Sequence, residues 1–428
     1  MKPFPNRTLW VFLVVPHLLF GQQQERPVET CSLTTSAPSP LRLADGTFAF
    51  LTPTAAAKAR GDWFVVGTPS LRWSANATLR SAPIDSALFG FVRHSSGRWS
   101  AIPQPIVGVH TDFSRVASDA PDRWHALIFA SSHQEDGQSR MNDTVALYHA
   151  IWRSGRWFDV DRVGTLIDAK YRSEYASDLI VDQAGNMAFA LPLLNPVSSS
   201  PAYGGVILIH FDGRRWQMDT LRVRATVRYA SLARGPRNGA WSVLYQGQSA
   251  EPTDAGSLYV TTYSGRRWST SEVAVRGVRQ SPYAPKLYRL DGQLFASWTQ
   301  DAQSLVRDSG TVLRWTRVGD GTADKGTAIV ATHAEDIRAT PLGSSQLVWA
   351  ARDSASSSRV RLFRATKSVI DTLGTVSAPN ETTALVLPLD SARFALLTAR
   401  LGRADAEMPV TELETMATLT CRARPSTR

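Results

Sequence analysis

Leu208-Ile-His-Phe-Asp-Gly-Arg-Arg-Trp216 reads as an aromatic strand closed by a Gly-Arg turn and a Trp. The phrase recurs as Phe91-Val-Arg-His-Ser-Ser-Gly-Arg-Trp99, Ala150-Ile-Trp-Arg-Ser-Gly-Arg-Trp157 and Val260-Thr-Thr-Tyr-Ser-Gly-Arg-Arg-Trp268. The four Trp residues lie 58, 59 and 52 positions apart, so the phrase marks a repeating unit. Before each turn runs a β-branched and aromatic segment, and after each Trp a more polar one, such as residues 158–163 or 217–223. That pattern predicts a hairpin between the last two strands of each unit, with Gly supplying a positive φ and Trp covering the hairpin or its joint with a neighbour.

Upstream of each pair lies another strand, legible at 62–67, 124–129, 186–191, 240–245, 293–298, 346–350 and 393–398. The first strand of the unit has its own echo in Tyr175-Ala-Ser-Asp-Leu179, Tyr229-Ala-Ser-Leu232 and Tyr283-Ala-Pro-Lys-Leu287, whose Tyr residues are each 54 apart. Four strands in every 50 to 60 residues, without helical periodicity, predict an all-β chain: a β-propeller of seven four-stranded blades, with six blades plus a separate hairpin as the alternative. The propeller is expected over 44–422. The segment 22–43 contributes a closing strand, and 423–428 form a disordered tail.

The two cysteines, Cys31 and Cys421, stand near opposite ends of the chain. If the segment around Cys31 is the fourth strand of the last blade, beside residues 412–420, they become neighbours and a disulfide latches the ring. Two unrelated thiols are the alternative. Residues 1–21 read as a signal peptide, with Lys2 and Arg7 ahead of an apolar run from Leu9 to Phe20. A secreted or periplasmic location follows, with no transmembrane segment in the mature chain.

The net charge of +10 rests on 47 Lys and Arg against 37 Asp and Glu, and loss of residues 1–21 leaves 10 − 2 = +8. The excess is scattered Arg without a basic block, so nucleic acid is not expected as a partner, and the protein is expected to be a monomer. No metal-ligand spacing, G-x-S-x-G motif or phosphate-binding loop occurs, and no cofactor is expected.

The longest polar loops join second to third strands, at 131–144, 195–204, 247–256, 299–310 and 353–358. They open on the face opposite the Gly-Arg-Trp turns, and a ligand site is expected there, at the mouth of the channel. The segments between blades bring Asp112, Arg172, Glu174, Tyr175, Arg228, Tyr229, Arg279, Tyr283, Asp336 and Arg338 to that mouth. Such residues clamp carboxylate or phosphate groups through charge-assisted bonds; alternatively, the Tyr residues pack as repeat positions and the charges pair around a solvated rim.

The turns Ser96-Gly-Arg-Trp99, Ser154-Gly-Arg-Trp157, Asp212-Gly-Arg-Arg-Trp216 and Ser264-Gly-Arg-Arg-Trp268 resemble, in degenerate form, the Asp box, Ser-x-Asp-x-Gly-x-x-Trp, of secreted sialidase-like propellers. In that family the box fills the turn between third and fourth strands, away from the active centre, so the resemblance implies the fold. Active sialidases also carry an Arg-Ile-Pro motif, which this sequence lacks, three arginines for the substrate carboxylate, and a Tyr nucleophile paired with Glu. Arg172, Glu174, Tyr175, Arg228 and Arg279 have the residue types of such a site. The expectation is therefore a binding or interaction module for a glycan or a protein, with a sialidase-like glycoside hydrolase or lyase as the alternative.

Overall fold

The computed structural model describes residues 29–73, 88–106, 110–131, 144–167, 176–193, 204–223, 226–248, 256–278, 285–301, 311–319, 321–322, 327–331, 338–352, 359–367, 370–377, 384–400 and 411–423. The stretch 1–21, expected to be a signal peptide, lies outside them. The described residues form strands and turns without a helix, arranged as seven antiparallel four-stranded blades in a ring.

Blade one comprises Phe48–Ala59, Asp62–Trp73, Leu88–Arg93 and Trp99–Pro103. Blade two comprises His110–Ala120, Arg123–Ser131, Thr144–Arg153 and Arg156–Ile167. Blade three has a short first strand, Ile180–Val181, then Met187–Leu193, Gly204–Phe211 and Trp216–Val223. Blades four, five and six follow the same plan, with first strands Thr226–Arg234, Lys286–Leu290 and Arg338–Leu342. Blade seven takes Ala384–Pro388, Arg393–Arg400 and Thr411–Ala423 from the C-terminal part of the chain and its fourth strand, Glu29–Thr35, from the N-terminal part. Cys31 and Cys421 are direct cross-strand partners in that last pair and form a disulfide.

Each blade buries both faces, which is why its inner strands read as continuous apolar runs. In blade seven Phe394 and Leu396 pack towards blade six, while Ala395 and Leu397 pack towards blade one. An apolar cluster of this kind fills every seam of the ring, from Phe64 and Trp124 between blades one and two to Trp315 and Trp349 between blades five and six. Burial of that kind stabilises by roughly 25 cal/mol per Å² of apolar surface.

The Gly-Arg-Trp phrase occupies the turn between third and fourth strands in blades one to four. Gly97, Gly155, Gly213 and Gly265 all have positive φ, between 57° and 88°, which the turn requires and which side chains rarely adopt. The following Trp residues pack in the seam with the preceding blade. The indole of Trp99 donates to Glu414 of blade seven at 3.1 Å, and that of Trp157 to the Pro103 carbonyl of blade one at 2.8 Å. Trp216 lies 5.2 Å from the His149 ring of blade two, and Trp268 joins the cluster between blades three and four. The phrase is thus a fastening between blades as much as a hairpin turn.

Candidate functional site

First strands of neighbouring blades contact one another from blade one through blade five and between blades six and seven, so they lie on the inner side of the ring. Asp178, between blade three's Ala176 and Leu179, reaches charged side chains of two other blades. Its carboxylate lies 3.6 Å from Arg115 Nε of blade two and 3.8 Å from Lys286 Nζ of blade five. Blades three and five are not neighbours, so the second contact crosses the interior of the ring. The Asp178 side chain is 64% exposed, whereas Arg115 is buried and also donates to the Ser177 carbonyl at 3.0 Å. Ser177 and Ser231, at matching positions of blades three and four, each accept a backbone N–H, from Ala190 at 2.8 Å and Leu287 at 2.9 Å. These bonds fix the axial backbone that carries the charges.

Arg172, Glu174, Tyr175, Arg279, Tyr283 and Asp336 fall outside the described residues, as do most residues of the long loops. Asp112, Arg228 and Arg338 lie on the first strands of blades two, four and six. Asp112 sits at a register shift between Thr111 and Phe113, and Arg228 with Tyr229 at another between Val227 and Ala230. Such bulges concentrate beside functional sites. Tyr229 is buried, 1% exposed. Opposite its bulge stands Gln246, fully buried in the second strand, with neither amide atom hydrogen-bonded among the described residues. A buried amide left that way carries a desolvation cost that a polar partner removes.

Arg115, Asp178, Lys286 and Gln246 were not singled out from the sequence. Asp178 and Lys286 share one offset, three residues after Tyr175 and Tyr283 in the repeated echo. The varying position inside that otherwise constant echo was the available signal.

Two further polar constellations sit in the seams. Tyr263 donates to Asp219 at 2.5 Å, and His210 Nε2 lies 2.9 Å from the same carboxylate oxygen. Burial and the Asp219 carboxylate push the Tyr263 phenol up, away from the phenolate a nucleophile would need. In blade two, His125 Nδ1 and His149 Nε2 are 2.9 Å apart, and His125 Nε2 makes a close but poorly aligned approach of 2.9 Å to Asp119. Burial, then the neighbouring His125, lower His149 to about 4, against a smaller opposing effect of Asp119. Both constellations join blades, or strands within a blade. Among the described residues no group of three or more His, Cys, Asp or Glu is placed to hold a metal ion, and no helix is long and apolar enough to cross a membrane.

The seven seams, the antiparallel blades and the shared closing blade define a seven-bladed β-propeller. No protein-family model matches the chain, and no curated protein sequence does. Among solved structures it is similar to a protein of unknown function from Dyadobacter fermentans, at 11% identity over 91% of this chain and 100% of that one, with a TM-score of 0.47. The polysaccharide lyase Uly1 gives 10% identity over 85% and 89% of the two chains and a TM-score of 0.49. For a sialidase from Trypanosoma rangeli the values are 10%, 90% of this chain, 59% of that one, and 0.42. Likeness at this distance carries neither activity nor site residues to this chain.

Proposed function

We propose that this chain is an exported binding or interaction module whose long-loop face recognises a glycan or another protein. The observation that supports this reading is the axial trio of Arg115, Asp178 and Lys286, drawn from blades two, three and five. Charged groups converging from separate blades are suited to holding the hydroxyl and carboxylate groups of a polar ligand. Arg172, Glu174 and Tyr175 stand just before Asp178 in the chain, and Arg279 and Tyr283 just before Lys286, so we assign them to the rim beyond the trio. Asp112, Arg228 and Tyr229, at the bulged inner strands, and Asp336 and Arg338, at the entry to blade six, complete the same reading. The Cys31–Cys421 disulfide is consistent with an oxidising compartment, secreted or periplasmic.

The test is a glycan array and a glycosidase and lyase substrate screen with purified protein, repeated with Arg228→Ala, Glu174→Ala and Asp178→Asn. The expected result is saturable binding without turnover, weakened at least about tenfold in each variant, the cost of one charge-assisted bond. Turnover abolished by Glu174→Ala would instead class the chain as a glycoside hydrolase or lyase. Binding unchanged in all three variants would remove the site.

A further inference from the structure

The short-turn end of blade two carries three arginines in one cross-strand row. Arg123 pairs in register with Arg153, and Arg153 with Arg156. Their side chains therefore leave the same face of the sheet, the one whose Leu127 and Leu147 pack against blade three. Like charges directly opposite one another destabilise a sheet unless something neutralises them. Arg123 is neutralised by Asp119, Nε to Oδ1 at 2.7 Å. Arg153 and Arg156 are exposed, and among the described residues neither makes an ion pair.

The adjacent register row on this face holds Ile151 and Phe158, both half-buried. The guanidinium of Arg156 stands 4.4 Å from the centre of the Phe158 ring, which restricts its geometry. These residues bound a cleft of about 390 Å³, within the size range of small-ligand sites. Ser154 lies at its lip, its hydroxyl donating to Asp122 at 3.1 Å, and Asp159 stands on the wall in a left-handed conformation, φ 47°.

We propose that this cleft is a second site, on the face opposite the long loops, which takes the carboxylate or sulfate of an acidic sugar in a polysaccharide. Arg153 and Arg156 grip the anion, and Ile151 and Phe158 receive the apolar face of the sugar ring. A lipid surface fits less well, because the turn tip Ser154-Gly155-Arg156 offers no apolar side chain to insert. A nucleic-acid backbone fits less well, because Asp122 and Asp159 interrupt the positive row.

The experiment is calorimetric titration of the full protein with an oligogalacturonate and with a neutral malto-oligosaccharide of equal length. The acidic sugar is expected to bind and the neutral one not. Arg153→Ala with Arg156→Ala should weaken binding at least tenfold, and Asp159→Asn, which tolerates the same backbone, should tighten it. Arg267→Ala, an exposed arginine of blade four's turn, should leave binding within twofold. Relief of the like-charge row should leave the melting temperature of the double variant unchanged or higher. Undiminished binding in the double variant, an equal loss with Arg267→Ala, or loss accompanied by a lower melting temperature would each overturn the proposal.

Discussion

Acidification should weaken blade two through His149. This side chain is 6% exposed, with its ring stacked at 11° and 5.2 Å on His125 and the Trp216 ring 5.2 Å away. Its pKa is about 4, against 6.5 in an unfolded chain. Between those values the unfolded state binds more protons, so the contribution of neutral His149 is complete above about pH 6.5 and is lost as the pH falls towards 4. At 1.36 kcal/mol per pKa unit, the loss at pH 4 is about 3 kcal/mol. Other groups also titrate in that window, so the measurement needs a partner that does not. His149→Gln keeps a side-chain N–H for His125 Nδ1 and removes the titration. Urea unfolding of both proteins at pH 7, 6, 5 and 4 then gives the difference in stability directly. From pH 7 to pH 4 the natural protein should lose about 3 kcal/mol relative to the variant. A difference that stays constant across the range would refute a neutral, buried His149.

Cys31→Ser opens the latch across a sequence separation of 390 and should cost up to about 5 kcal/mol on the chain-entropy account, read as a lower urea midpoint under non-reducing conditions. Glu414→Ala removes the partner of Arg93 and of the Trp99 indole between blades seven and one. With side-chain exposures of 9% and 11% for Arg93 and Glu414, about 3–5 kcal/mol should disappear in thermal unfolding, whereas Glu414→Gln should lose less. Gly90→Ala puts a methyl group 2.9 Å from the Val66 backbone in the centre of blade one. It should destabilise by about 1–3 kcal/mol, and a melting temperature equal to that of the natural protein would contradict the packing described.

The blade count and the turn positions were legible because they rest on local chemistry. A Gly with positive φ and a Trp two or three residues later recur where a third strand turns into a fourth in blades one to four, and continuous apolar runs mark strands buried on both faces. The end-to-end meeting of Cys31 and Cys421 was legible for a different reason, since a ring of equal units leaves the odd strand only one place to go. The axial trio was less accessible. Asp178 and Lys286 are 108 residues apart, 286 − 178, and nothing local to either states that blades three and five approach one another inside the ring. The arginine row of blade two was hidden by register: Arg123, Arg153 and Arg156 look scattered in the sequence and align only once the strands pair.

The shared blade also sets an order of events. Glu29–Thr35 precedes every other described strand, yet it pairs with Thr411–Ala423, the last of them along the chain. Six blades pair segments that are close in the chain, while the seventh cannot be completed before Thr411–Ala423 is present. A chain cut short before Thr411 leaves Cys31 with no Cys421 to meet, and its free thiol distinguishes it from the finished molecule. The latch is therefore also a record of ring closure, written once Thr411–Ala423 has met Glu29–Thr35.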